Sequence, residues 1–120
     1  MIDHSEIRIG NLVYMFGDAV SLTKEHMIYL LMEDKQPHPI TLTEEWLTKF
    51  GYSYANENGQ KFYWHIEMPY FQLRRDDEDC WLLWYDEDSM EALICKEEIK
   101  YVHQLQNLYY ALTGTELEIK

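Results

Sequence analysis

Between Asp76 and Glu91 the chain carries eight carboxylates and no cationic side chain: Asp76, Asp77, Glu78, Asp79, Asp86, Glu87, Asp88 and Glu91. Carboxylates at that density can hold a divalent cation, offer an acidic patch to a basic partner, or solvate turns and guard strand edges against pairing with other chains. An EF-hand loop needs alternating Asp or Asn ligands, a central glycine and a closing glutamate. That spacing is absent. The run over Asp76, Asp77, Glu78, Asp79, Asp86, Glu87 and Asp88 is therefore expected to form solvated turns, or at most an acidic patch, and no metal is expected.

The other groups that could do chemistry are scattered. His4, His26, His38, His65 and His103 form no HExxH or His-x-x-x-His pair. Cys80 and Cys95 lack a CxxC spacing and are expected as reduced core or strand residues. A histidine beside either cysteine would activate a thiolate, but nothing local supports that arrangement. There is no GxSxG elbow, P-loop or GxGxxG turn. No catalytic, cofactor-binding or metal-ligating residue is identified, no cofactor is implied, and a non-enzymatic protein is expected.

The most distinctive stretch is Tyr101-Val-His-Gln-Leu-Gln-Asn-Leu-Tyr-Tyr-Ala-Leu-Thr-Gly114. No residue from Tyr101 to Thr115 is charged, in a chain with 27% charged residues. At helical spacing Val102, Leu105, Leu108, Tyr109 and Leu112 fall on one stripe, and Gly114 supplies the stop. His103, Asn107 and Tyr110 fall on another side, with Gln104 beyond them. A polar but uncharged side suits partly buried hydrogen bonding. His103, Gln104, Asn107 and Tyr110 are thus candidates for a buried polar network or an interaction surface, the network within the chain being favoured. The apolar stripe is expected on a sheet containing Trp81 and Leu83, or Leu82 and Trp84.

The remaining elements are read from local punctuation. Residues 6–16 read as a strand bent at Gly10-Asn11, Gly17-Asp18 as a hairpin turn, and 19–22 as the returning strand. Small SH3-like barrels begin this way. For residues 23–32, Thr23 could cap a short helix with Met27, Leu30 and Leu31 on one face; alternatively His26 to Met32 is a buried strand. The helix is favoured. Pro37 and Pro39 mark a loop. Thr43 caps a helix ending at Gly51, with Glu44 and Glu45 at its positive end, Lys49 near its other end, and Trp46, Leu47 and Phe50 facing the core. Strands are expected at 60–67, 70–75, 80–85 and 90–96, forming a four-stranded meander. Both alternating sets in Cys80-Trp-Leu-Leu-Trp-Tyr85 are apolar, which indicates a central strand covered on both faces. Tyr63, Trp64, Tyr70, Trp81, Trp84 and Tyr85 are expected to pack the core.

These elements predict one α+β domain over residues 1–120, with the last helix packed on the sheet. The size suffices for a proper core. The formal net charge of −12 opposes contact with phosphate backbones and favours a basic partner. No apolar N-terminal run suggests a signal peptide, and no apolar run spans a bilayer. A cytoplasmic protein is expected, monomeric or homodimeric, with no membrane or direct nucleic-acid contact.

The segments Arg8-Ile-Gly-Asn-Leu-Val13, Pro39-Ile-Thr-Leu-Thr-Glu-Glu-Trp-Leu47 with Lys49-Phe-Gly-Tyr52, and Tyr101 to Gly114 resemble a family of small uncharacterised proteins of gut Bacteroides and related bacteria, often encoded near phage or mobile-element genes. That family usually has Pro at the position of Thr41 and often Phe at those of Tyr52 and Tyr110. The resemblance implies a bacterial cytoplasmic setting and no particular activity. The expected function is a protein-interaction module or mobile-element accessory protein. The alternatives are an acidic decoy that mimics nucleic acid, and a small-ligand binder or enzyme with a pocket near His103.

Overall fold

The structure, a computed structural model, describes residues 6–57, 59–77, 80–87 and 90–119. The fold is α+β, with a two-stranded and a five-stranded antiparallel sheet, both open, and three helices. The chain forms two compact units. The first comprises Met1–Thr41 and Tyr101–Glu116, the second Leu42–Lys100 and Leu117–Lys120.

In the first unit β1 (Leu12–Met15) pairs with β2 (Asp18–Ser21) as an isolated hairpin. A barrel-type start is thus replaced by a two-stranded ribbon. The strand expected from residue 6 begins only at Leu12, because Asn11 closes a turn first. The Arg8 N–H donates to Asn11 Oδ1 at 2.8 Å and the Asn11 N–H to the Arg8 carbonyl at 3.1 Å. Such side-chain bonds offer the backbone an alternative to the ladder.

Residues 24–32 are helical, as α1 (Lys24–Met32). Thr23 Oγ1 accepts from the His26 N–H at 3.2 Å, and the Thr23 N–H donates to His26 Nδ1 at 3.1 Å. This is a capping box with histidine in the place usually held by Glu or Gln. Ile7, Val13, Met15, Leu22 and Leu30 make the core of this unit, flanked by Val20, Met27 and Tyr29. The chain then pairs His38 with Tyr14 on the free edge of β1. Thr41 bridges to Tyr101, and the helix that follows Tyr101, Val102–Thr113, packs on β1. Gly114 ends it at φ +77, the left-handed conformation that glycine adopts without a Cβ clash. Leu112, expected on the apolar stripe, is exposed.

The second unit opens with a short helix, Glu44–Lys49, capped by Thr43. In chain order the helices are therefore α1, α2 (Glu44–Lys49) and α3 (Val102–Thr113). The sheet is a meander of β3 (Ser53–Glu57), β4 (Gln60–His65), β5 (Met68–Asp77), β6 (Cys80–Glu87) and β7 (Met90–Ile99). It has one strand more than expected, since β3 is short and mixed in character. β6 lies between β5 and β7, with Trp81 and Leu83 buried and Leu82 and Trp84 half-buried. Leu42, Leu47, Phe50, Tyr63, Leu73, Trp81 and Leu83 form its core, and Trp81 Nε1 donates to the Leu42 carbonyl at 3.1 Å. Among the described residues no helix is long and apolar enough to cross a membrane.

Candidate functional site

The uncharged helix α3 owes its composition to a buried hydrogen-bond network within the first unit. Gln106, 2% exposed, accepts from the Leu12 N–H at 2.7 Å and donates to the Gly10 carbonyl at 3.3 Å. Asn107 accepts from Asn11 Nδ2 at 3.0 Å and donates to the Glu6 carbonyl at 3.0 Å. Gln104 Oε1 accepts from the Tyr101 N–H at 3.0 Å, which caps the helix. The Tyr110 ring lies 4.6 Å beneath the Arg8 guanidinium, which also pairs with Glu116 and donates to the Gln106 carbonyl. Gln106 and Asn11 were not among the candidates from sequence. The absence of charge on the helix was the available signal.

His103 stands apart from this network. It is 1% exposed, and neither ring nitrogen has a hydrogen-bond partner among the described residues. Its ring stacks on Tyr101 at 5.9 Å and 10°. Burial pushes its pKa below the ordinary 6.5, against a smaller opposing pull from Glu6.

In the second unit, Arg74 is the centre of an occupied cation site. Its guanidinium lies 4.5 Å from both the Phe62 and Trp84 rings. It donates to Glu91 Oε1 at 2.7 Å and to Gln72 Oε1 at 3.0 Å, with Asp86 at 3.6 Å. The hydrogen bond and charge of Arg74 hold the Glu91 carboxyl below its usual range. Two of the eight carboxylates between Asp76 and Glu91 are thus ion-paired with one arginine. For Asp76, Asp77 and Glu87 only the strand path is described; Glu78, Asp79 and Asp88 lie outside the described residues. Among the described residues no three His, Cys, Asp or Glu side chains are grouped as a metal site.

A cup of about 230 Å³ in the same unit is lined by Glu44, Lys61, Tyr63, Arg75 and Trp81. Its polar groups serve one another. The Tyr63 hydroxyl donates to Glu44, and Lys61 Nζ stands 3.8 Å from the same carboxylate. Burial, followed by the Glu44 contact, pushes the Tyr63 phenol up to about 12. At neutral pH this phenol is a hydrogen-bond donor and no base.

The feature that internal contacts leave unused lies on the first unit. The β1–β2 turn is Phe16-Gly17, with φ +55 and +84. A two-residue turn of this kind needs positive φ at both positions, which suits Asn-Gly and strains a Phe by about 1–2 kcal/mol. Phe16 is nevertheless 78% exposed, touching Tyr29 at 5.6 Å. Beyond Tyr29, α1 presents Ile28, Leu31 and Met32, the last two 58% and 79% exposed. Spaced i, i+3, i+4, these three share one helix face. A cleft of about 200 Å³ lies on the Tyr29 side of α1, lined by Tyr14, Phe16, Tyr29, Lys35, Pro37 and His38.

The sequence held a sign of this surface. Met27 to Met32 are six consecutive apolar residues, and a nine-residue helix cannot turn six neighbours to one side. Leu30 is buried, while Leu31, expected beside it on the core face, is outside. Neither cleft is lined by His103. Comparison with protein-family models, curated proteins and solved structures finds no match for the chain.

Proposed function

We propose that the protein is a non-enzymatic, cytoplasmic protein-interaction module, and that the Phe16–α1 face of its first unit is the binding surface. One observation carries the reading: a large apolar side chain is held exposed in a left-handed turn, beside an exposed apolar helix face. Strained backbone concentrates at functional positions, and contiguous exposed apolar surface marks interaction sites. Hot spots of binding are built from aromatic anchors of this kind. The resemblance to small Bacteroides proteins encoded near mobile elements supports an accessory role in that setting.

The test is affinity capture from a Bacteroides lysate with wild type, Phe16→Asn and Leu31→Glu as baits. Asn tolerates the left-handed turn, so relief of strain and loss of the Tyr29 contact should leave stability within about 1 kcal/mol of wild type. A partner captured by wild type and lost with both variants is the expected result. An identical partner set for all three baits would refute the assignment of this face.

A further inference from the structure

We propose that the N-terminus of α1 carries an acid-released cap, closed while the His26 imidazole is neutral and opened when it takes up a proton. The Thr23 N–H donates to His26 Nδ1 at 3.1 Å, and the His26 N–H donates to Thr23 Oγ1 at 3.2 Å. A backbone N–H only donates, so Nδ1 is the unprotonated ring nitrogen and the imidazole proton sits on Nε2. Once Nδ1 is protonated, two donors face each other across the first of these bonds. Thr23 Oγ1, 3.2 Å from Nδ1, can accept the new proton, but the Thr23 N–H has then lost its acceptor. The imidazolium also stands in the first turn, at the positive end of the helix dipole. Both effects loosen the same turn. Glutamate, the usual occupant of this position, stays ionised and accepting down to about pH 4.3, whereas an imidazole gives up its acceptor near about pH 6.5. The cap's contribution is therefore present above the histidine range and lost as pH falls through it.

The helix is poorly placed to absorb that loss. It has nine residues, fewer than the about 12–15 at which isolated helices hold, and Leu30 is its buried side chain. Nearby charge does not replace the cap. Lys24 and Glu25 share the first turn with opposite signs, and Glu33 and Asp34 lie at the far end of the helix. The segments packed with α1 carry Glu6, Arg8 and Asp18 before it and Lys35 and His38 after it. Of these, Arg8 is paired with Glu116 and Lys35 lies over the Tyr29 ring. Among the described residues His26 takes part in no ion pair. Ile28, on the exposed face assigned above to partner binding, lies two residues beyond His26. Acid therefore loosens the near end of that face; this consequence rests on the preceding reading, while the cap itself does not.

The experiment is amide hydrogen exchange of the full chain, followed by NMR and divided by the unstructured-chain rate at each pH. It reads the protection of the Met27 and Ile28 amides, the first of which donates to the Thr23 carbonyl at 3.1 Å. In wild type this protection should fall about fivefold between about pH 7.5 and about pH 5.5, the factor for loss of one ordinary cap. The Thr23 amide resonance should move with the titration of the His26 ring. His26→Gln supplies an acceptor that does not titrate, and should hold the protection constant while every other histidine still titrates. His26→Ala has no acceptor and should sit at the acid level of wild type at both pH values. A fall in His26→Gln equal to that of wild type would assign the acid response to another group and overturn the proposal. A Thr23 amide that ignores the His26 titration, or a wild type whose protection is the same at both pH values, would overturn it as well.

Discussion

His103→Leu should stabilise the protein, against the usual direction for a substitution at a site only 1% exposed. A neutral imidazole carries one donor and one acceptor, and both nitrogens of His103 are unpartnered among the described residues. Leaving a buried polar group unsatisfied costs about 1–3 kcal/mol. Leucine is close in size and has no polar atom. It forfeits the stack on Tyr101, which is worth about 0.5–1.5 kcal/mol. The net expectation at neutral pH is a gain of about 1 kcal/mol. The pH dependence sharpens the test. Burial lowers the folded-state pKa below 6.5, so the unfolded chain takes up the proton first. Wild-type stability due to this group is fully present above pH 6.5 and is lost as pH falls from there toward the folded value. The leucine variant lacks that loss, so its advantage should widen on acidification. Urea unfolding of both proteins above and below pH 6.5 measures this. A variant less stable by about 1 kcal/mol at neutral pH, or one whose advantage stays constant with pH, would refute the reasoning.

Three further outcomes are expected. Asn107→Ala should cost about 1–3 kcal/mol in the same unfolding assay, since it removes the 3.0 Å acceptor of the buried Asn11 amide and the donor to the Glu6 carbonyl; a change within about 0.5 kcal/mol, as at an ordinary surface site, would show that these two bonds contribute nothing. Arg74→Leu should return the Glu91 carboxyl toward its ordinary 4.5, followed by NMR titration, because the hydrogen bond and charge of Arg74 are what lower it; an unmoved Glu91 would assign the shift elsewhere. Duplex DNA should not bind near physiological salt, given the net charge of −12, and a salt-sensitive gel shift at micromolar protein would contradict this.

The helices were legible because their ends are chemically local. Thr23, Thr43 and Gly114 each act on backbone groups within a turn of themselves. The strands from β4 to β7 were legible from apolar runs separated by charged turns. β3 escaped notice because Ser53-Tyr-Ala-Asn-Glu57 has little alternation, and its strand character comes from pairing with β4. The start of β1 was misplaced for a similar reason: Asn11 Oδ1 captures the Arg8 N–H and closes a turn where alternation alone continues a strand. The uncharged run from Tyr101 to Thr115 announced burial, but not with what. Gln106 meets Leu12 and Gly10 across more than ninety residues of chain, and no local periodicity records a partner that distant. The run Met27 to Met32 likewise required that some apolar side chains remain outside. That Leu30 turns inward while Ile28, Leu31 and Met32 face out was decided by tertiary packing, because Val13, Met15 and Leu22 of the core cover one side of α1 and a helix has only one side to give them.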